Sequence, residues 1–589
     1  MRPNADTPAV EYFNTADFLR RFAASMPDAI AVAQPLYEGR SKRPLRDPAG
    51  KRVYSTLTFA ELDQDSDRIA AALQRSGVKP GDRLALMVRQ GVDFVSLVFA
   101  LYKSGAVLVL IDPGMGIKRM LACLRDAELD GFIAIPQVQA ARVCLRRRFP
   151  KAKKNLTVGR RWFWRGLSLD KIRREPFVRA ADPKRRLDDA AAIIFTSGST
   201  GVAKGVLYTH RMFKTQVEEI SKRLDARPGG VDLVGFPFFG LFDAGMGATA
   251  VIPDMDSTRP ASVDPRLFLE AADDWQITQA FGSPALWNRV VDFCLQEKRT
   301  IPTLKRAAIA GAPVSFKLLE KFRRVLPPDA NIFTPYGATE SLPLAMIESR
   351  EVLEETSAKT RRGAGICVGR FFDTIERRVI PVTDAPIPRL EGVETLGRGE
   401  IGELLVSGPQ VSPRYVTRVE ANELALVFDK DGKLWRRVGD VGYIDDQDRF
   451  WFCGRKSHRV ETAAGPMFTI PCEAISNESP KIYRSALVGV PLPADYVEPA
   501  QISERAAANR DLWREPVMVV EPFPNARPEN EVEAERLCAE ILELLAANAT
   551  TAAIRRVLIC PALPVDVRHN AKINREDLAV WAAERLSNR

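Results

Sequence analysis

This chain of 589 residues is short of several residue types, and each shortage removes a class of function. There are 8 cysteines, no two in a C-x-x-C pair, and the nearest neighbours are Cys453 and Cys472. Such spacing excludes a disulfide framework. The 3 histidines, His210, His458 and His569, lie far apart, each without a second ligand at helical or loop spacing. A histidine-based zinc site is therefore not expected. No G-x-S-x-G pentapeptide occurs, which removes the simplest serine-hydrolase arrangement. Internal repeats are absent. Long apolar runs are absent too: the best candidate, 94–111, is broken by Lys103 and Ser104 and is too short on either side to span a bilayer. The first residues, Met-Arg-Pro-Asn-Ala-Asp, carry no apolar signal core, so the expectation is a soluble cytoplasmic protein.

What remains is ordinary globular material, 46% hydrophobic and 27% charged, which excludes wholesale disorder and fibrous repeats. The length calls for more than one domain. Net charge is +10, but it is unevenly placed. Residues 142–186 hold 17 Lys/Arg against 3 Asp/Glu, a local +14, so the rest of the chain sums to 10 − 14 = −4. This segment is expected to be a basic surface excursion. Its centre, Arg160-Arg-Trp-Phe-Trp-Arg165, places aromatics among arginines. Such a stretch can simply pack its tryptophans on its own subdomain, or it can dock to a membrane surface or an acidic partner. No recognition module accompanies it, so nucleic acid is not an expected partner.

The first half alternates short apolar runs with amphipathic ones. Strands are predicted over 83–88, 106–111 and 191–195, and helices over 92–101 and 211–224. That alternation indicates a doubly wound α/β fold built on parallel sheets. From about 363 to 451 short β-rich runs separated by Gly, Pro and Asp turns suggest an antiparallel, barrel-like subdomain. Beyond it a small α+β unit is expected, with strands over 486–490, 517–520 and 556–560 and a helix over 531–547. The boundary is placed at the Gly454–Ser457 region, giving a large domain 1–454 and a small one 455–589.

The most informative stretch is Thr196-Ser197-Gly198-Ser199-Thr200-Gly201-Val-Ala-Lys204-Gly205, read as a loop between a strand and a helix. Glycines let the backbone approach an anion, hydroxyls add donors and Lys204 adds a positive charge, a chemistry suited to a polyphosphate. The spacing is not that of a Walker A loop.

With that loop the chain resembles the adenylate-forming superfamily of acyl-CoA synthetases, luciferases and peptide-synthetase adenylation domains. Further motifs follow in the family's order. Gly311, Ala312 and Pro313 look like one adenine-binding loop, and Pro335-Tyr336-Gly337-Ala-Thr339-Glu340 like another. The resemblance implies that Tyr336 stacks on adenine, that Gly337 and Thr339 line the α-phosphate and acyl region, and that Glu340 holds Mg²⁺. It implies that Asp440 binds the ribose, that Arg455 reaches the nucleotide from the domain junction, and that Lys572, in Asn570-Ala-Lys-Ile-Asn-Arg575, is the catalytic lysine of a mobile small domain. ATP and Mg²⁺ are the implied cofactors, with Lys204, Glu340 and Lys572 as the catalytic set. By position, the acyl pocket is expected near Phe236–Phe242 and Ala280–Ser283, with Phe239, Phe281 and Gly282 as candidate substrate residues, although each phenylalanine could equally be core.

The nucleophile of the second half-reaction stays open. The junction reads Gly454-Arg-Lys-Ser457-His458, with Ser457 where the family usually has an acid or lysine, and Gly465 stands one residue late. Longer phrases resemble the β-lactone synthetases of bacterial long-chain olefin biosynthesis. That likeness implies a long-chain 2-alkyl-3-hydroxy acid as substrate, its own 3-hydroxyl as nucleophile and a multi-enzyme setting, with peripheral membrane contact as a further expectation. A long-chain acyl-CoA ligase is the alternative, and a non-catalytic lipid or nucleic-acid binder acting through 142–186 is a remote one.

Overall fold

The computed structural model describes residues 11–39, 43–196, 203–236, 239–492, 502, 507, 509–565 and 573–587. Its first sheet has seven strands, in the order Leu167–Ser168, Lys154–Thr157, Gly131–Ala134, Arg83–Met87, Val107–Leu110, Ala190–Phe195 and Gly205–Thr209. Every neighbouring pair is parallel except the last. Continuous apolar runs such as Leu84–Leu86 are buried because helices cover the sheet. The helix Val92–Ser104 accounts for the longest apolar run: it is buried on nearly every side and ends at Gly105, whose φ of 78° suits a helix C-terminus. Lys103 interrupts that run as an internal ion pair, fully buried with its Nζ 2.5 Å from Asp63 Oδ1. Among the described residues no helix is long and apolar enough to cross a membrane.

The second sheet is larger. Thr249–Val251, Val231–Val234, Gln279–Gly282, Arg306–Ile309 and Asn331–Ala338 are parallel. Ser341–Glu348, Ile366–Phe371, Arg449–Arg455, Leu434–Ile444, Gly402–Ser407 and Glu376–Ile380 then continue it in antiparallel fashion. The β-rich stretch after 363 thus continues the same sheet, joined to its parallel strands through Ser341–Glu348. After Arg455 come a 3₁₀ turn, the hairpin Val460–Thr462 with Gly465–Met467, and a three-stranded sheet of Ile482–Val490, Glu515–Pro522 and Arg556–Ile559. Helices Thr469–Ser476, Glu531–Ala546 and Arg575–Ser587 cover this smaller C-terminal part, which has its own apolar clusters.

Two expectations need correction. The basic segment is not an excursion, because Lys154–Thr157 and Leu167–Ser168 within it are strands of the first sheet. The glycine-rich loop after Phe195 does not lead into a helix. Val206, Leu207 and Tyr208 favour extended backbone and pair antiparallel with Ala190–Phe195, so the helix begins only at His210.

Candidate active site

The two large sheets are stitched together by the segment 411–417. Val411 bridges to Ser341 of the second sheet and Tyr415 to Val206 of the first. Ser412 strengthens both seams: its N–H donates to the Glu340 carbonyl at 2.8 Å and its hydroxyl to the Leu207 carbonyl at 2.7 Å. The Val416 N–H donates to the Gly205 carbonyl at 2.9 Å, and the Gly205 N–H to Thr417 Oγ1 at 2.8 Å. The end of the glycine-rich loop is therefore clamped against the hairpin that carries Tyr336 to Glu340.

Within that seam Tyr415 is the meeting point. Its hydroxyl donates to Glu340 Oε1 at 2.7 Å, and its ring lies under Lys204, with Nζ 4.8 Å from the centroid. The Arg436 guanidinium approaches the same ring at 4.4 Å. Arg436 is fully buried, donates one hydrogen bond to the Ser412 carbonyl, and leaves Nε and Nη2 without a hydrogen-bond partner. Burial, then the Glu340 carboxylate, pushes the Tyr415 hydroxyl well above its usual value, so it remains a neutral donor. Thr339 joins through its carbonyl, which accepts from Tyr208 at 2.7 Å. Gly337 is packed so closely that a Cβ would stand 2.7 Å from the Ser341 carbonyl.

A second cluster lies on the adjoining antiparallel strands. Asp440 and Arg455 are cross-strand partners, with Arg455 Nη1 2.8 Å from Asp440 Oδ1. The Tyr336 hydroxyl donates to Asp440 Oδ2, and its ring packs against Phe450 and Phe452 at 5.7 and 6.0 Å. Burial raises the Asp440 carboxyl despite the opposing pull of Arg455 and Tyr336. Its Oδ1 is ion-paired to Arg455 at 2.8 Å, and a carboxylate oxygen can accept a further hydrogen bond. These residues fit a nucleotide: a carboxylate acceptor for a diol, an aromatic ring beside it, Lys204 and Arg455 as accessible cations for phosphates, and Arg436 buried against Tyr415. Glu340 is a hard ligand of the kind Mg²⁺ accepts together with phosphate oxygens. Among the described residues no cluster of three metal ligands exists.

The other expected residues are distributed less evenly. Ser197, Gly198, Ser199, Thr200, Gly201 and Lys572 lie outside the described residues, as does the Phe239 side chain. Thr196 anchors the loop's mouth, with its N–H donating to the Lys204 carbonyl and its Oγ1 accepting from the Lys204 N–H. Gly311, with φ of 96°, Ala312 and Pro313 follow the strand Arg306–Ile309. On the C-terminal side of Lys572, Ile573 bridges to Val565 and Arg575 pairs with buried Glu473 at 2.9 Å. His458, in the junction turn, is depressed to about 4 by burial and by the Arg575 and Arg455 guanidiniums, which brings the two regions into one electrostatic neighbourhood. Lys456 is held in the larger part by buried Glu403 at 3.2 Å.

Of the acyl-pocket candidates, Phe281 lies 6.4 Å from Phe236, ring to ring. Gly282 is filled from behind: a Cβ there would stand 2.7 Å from Trp287 Nε1. Beneath this region Asp232 and Asp243 are buried together, and Gln279 Nε2 donates to Asp232 Oδ2 at 3.2 Å. Burial raises both carboxyls, and the charge of Asp232 raises Asp243 further. Side by side and without water, the two carboxyls favour keeping a proton over both being charged. The pair clips the helix Phe239–Met246 to the strands Val231–Val234 and Gln279–Gly282.

Sequence reasoning missed Tyr415, Arg436 and the Asp232–Asp243 pair. Tyr415 stands 75 residues from Glu340, in a stretch with no local signal.

Comparison with known proteins agrees with this geometry. A model of the AMP-binding enzyme family matches residues 19–416. The chain is 43% identical over 577 residues to an olefin beta-lactone synthetase of Xanthomonas campestris pv. campestris, covering 97% of this chain and 98% of that one. To an olefin beta-lactone synthetase of Stenotrophomonas maltophilia it is 41% identical, covering 98% and 99%. A feruloyl-CoA synthase of Amycolatopsis is 26% identical, covering 74% of this chain and 82% of that one. Among solved structures, the amide bond synthetase McbA from Marinactinospora thermotolerans shares the fold, with a TM-score of 0.72, 20% identity and coverage of 97% and 100%. With the family model spanning the glycine-rich loop, the Tyr336–Glu340 hairpin and Tyr415, the chain belongs to the AMP-binding enzyme family.

Proposed function

We propose that this chain uses ATP to convert a long-chain 2-alkyl-3-hydroxy acid into an acyl-adenylate, and then closes a β-lactone through the acid's own 3-hydroxyl. In the first step a carboxylate oxygen attacks the α-phosphorus and pyrophosphate leaves. Two anions must approach, so cations have to surround the reacting centre. Lys204, seated on Tyr415, and Arg436 beneath it contribute that field, and Lys572 adds to it from the small domain. Glu340, oriented by the Tyr415 hydroxyl, would hold Mg²⁺, which would neutralise phosphate charge. Asp440 accepts from the ribose, and Tyr336, fixed by its bond to Asp440, presents its ring to adenine. In the second step the 3-hydroxyl oxygen bonds to the acyl carbon, its proton passes to solvent water, and the bond from the acyl carbon to the phosphate oxygen breaks as AMP departs.

The observation that carries the adenylation half is the convergence of Lys204, Glu340, Arg436 and Tyr415 on one seam between two sheets. The lactone half is supported by the near full-length similarity to two beta-lactone synthetases, well above that to the CoA synthase. An internal nucleophile has a very high effective concentration and needs no thiol tunnel. That agrees with a junction in which Ser457 replaces the usual pivot and Lys456 is tied to Glu403. Residues 455–589 act in this reading as a mobile small domain beside 1–454, and the enzyme works in the cytoplasm within an olefin-forming assembly.

A 2-alkyl acid lacking the 3-hydroxyl tests the scheme. It should support ATP–pyrophosphate exchange and release about one equivalent of pyrophosphate per site, with the acyl-adenylate retained and no sustained AMP release. Steady AMP release with that analogue, in the absence of coenzyme A, would contradict internal closure.

A further inference from the structure

Large aromatic side chains are rarely left in water, yet Phe163 is 75% exposed and its neighbour Trp162 51%. Both sit on the loop 158–166 at the outer edge of the first sheet, between the strands Lys154–Thr157 and Leu167–Ser168. Their display is built into the fold. Trp164, beside them, is buried, and its Nε1 donates to Thr157 Oγ1 at 2.9 Å. The Trp164 ring meets Trp162 at 5.3 Å and Phe163 at 5.2 Å, so one anchored ring props two outward ones. Arg161 closes the loop by donating to the Gly166 carbonyl. At Gly166 φ is 125° and a Cβ would stand 2.6 Å from the Asn155 carbonyl, so this turn depends on glycine.

The flanks are cationic. Arg160, Arg161 and Arg165 fall within six residues that contain no acid. The ion pairs described for the surrounding basic segment engage Lys151, Lys154, Arg173, Arg179 and Arg185 instead. Outside 142–186 the chain carries a net −4 (10 − 14), so an anionic surface attracts this segment and repels the remainder, which orients the molecule. The loop also leaves the sheet at a meaningful end. Lys154–Thr157 runs parallel to Ala190–Phe195 four positions away in the strand order, so both strands exit on the side where the glycine-rich loop begins. At strand spacing that is roughly 20 Å.

We propose that loop 158–166 docks the protein on an anionic lipid bilayer, with Trp162 and Phe163 entering the interface and Arg160, Arg161 and Arg165 facing lipid phosphates. A projecting apolar tip ringed by arginines matches the headgroup boundary, where apolar depth and negative charge coincide. Duplex nucleic acid would engage the charge through its phosphates but offers no apolar layer for the two rings. The inference stands apart from the chemistry assigned to the active site.

The test is co-sedimentation of the full chain with vesicles of phosphatidylcholine alone or mixed with phosphatidylglycerol. Binding should require phosphatidylglycerol and weaken with salt, and a bilayer brominated in its acyl chains should quench tryptophan emission. Arg160→Ala/Arg161→Ala/Arg165→Ala should weaken binding by on the order of a hundredfold, as three surface cations imply. Trp162→Ala/Phe163→Ala should weaken it by about tenfold or more and abolish the quenching. Pyrophosphate exchange with a short soluble acid, unchanged in both variants, shows that they are folded. No binding by the natural chain would overturn the proposal. So would binding that survives Trp162→Ala/Phe163→Ala intact, which would identify a purely electrostatic surface for another polyanion.

Discussion

Replacing Tyr415 by phenylalanine removes one hydrogen bond and keeps everything else the ring does. The lost bond is the 2.7 Å contact to Glu340 Oε1. A hydrogen bond to a charged group contributes about 1.5–3 kcal/mol net. If Glu340 must be held in place while pyrophosphate leaves, that loss falls on the adenylation barrier. At about 1.4 kcal/mol per factor of ten, Tyr415→Phe should then slow adenylation roughly 10- to 100-fold. Its midpoint of thermal unfolding should move little, because the ring still supports Lys204 and Arg436. Tyr415→Ala should be worse on both counts, since it also removes the cation–π contacts at 4.8 and 4.4 Å and strands the fully buried Arg436. The assay is ATP–pyrophosphate exchange across a Mg²⁺ titration, and a Glu340 set loose should raise the Mg²⁺ requirement of Tyr415→Phe. Exchange within about twofold of the natural chain, with the same Mg²⁺ dependence, would refute Tyr415 as the residue that positions Glu340.

Lys572→Ala should slow pyrophosphate exchange by ~10²–10³-fold, the range for loss of one preorganised transition-state donor, and an unchanged rate would remove Lys572 from the catalytic set. Burial raises the Asp232 and Asp243 carboxyls, so the folded chain keeps protons that the unfolded chain releases. Their favourable contribution is complete below the ordinary Asp value of about 4 and is lost as pH rises through the raised values. Asp243→Asn keeps a donor for Asp232 without the charge. It should raise the unfolding midpoint at about pH 8 and flatten its decline from pH 5, as the linkage relation requires; an unchanged pH profile would count against the retained proton. Gly282→Ala drives a methyl to 2.7 Å from Trp287 Nε1 and should cost about 1–3 kcal/mol by denaturant unfolding, the usual range for overpacking. A KM effect without loss of stability would instead make Gly282 part of the acyl pocket.

The sequence made the chemistry legible where it is local and obscured it where it is assembled. Apolar runs located Arg83–Met87, Val107–Leu110 and Ala190–Phe195 to within a residue or two, because a buried parallel strand has no polar face to confuse the pattern. The Thr196 to Gly205 loop and the Tyr336 to Glu340 stretch stand out because each groups its polar residues within a few positions of the sequence. By contrast, the strand Gly205–Thr209 goes unassigned between the loop and the helix predicted over 211–224, since five residues carry too little periodicity to mark a strand. The clamp at 411–417 had no local mark at all. Ser412 and Tyr415 acquire meaning only through Glu340 and Leu207, which belong to different sheets. Likewise Asp232 and Asp243 looked like ordinary acids until folding removed their water. Trp164 fell between these cases: aromatics among arginines were visible, but not which ring was the anchor and which two faced outward.

The central claim is that the activated acid is captured by its own hydroxyl. The most direct measurement incubates the full chain with ATP, Mg²⁺ and a racemic 2-alkyl-3-hydroxy fatty acid, with and without coenzyme A, and follows AMP together with the organic product by NMR. The account predicts a β-lactone and AMP at the same rate in both arms. A thioester, formed only when coenzyme A is present, would contradict it.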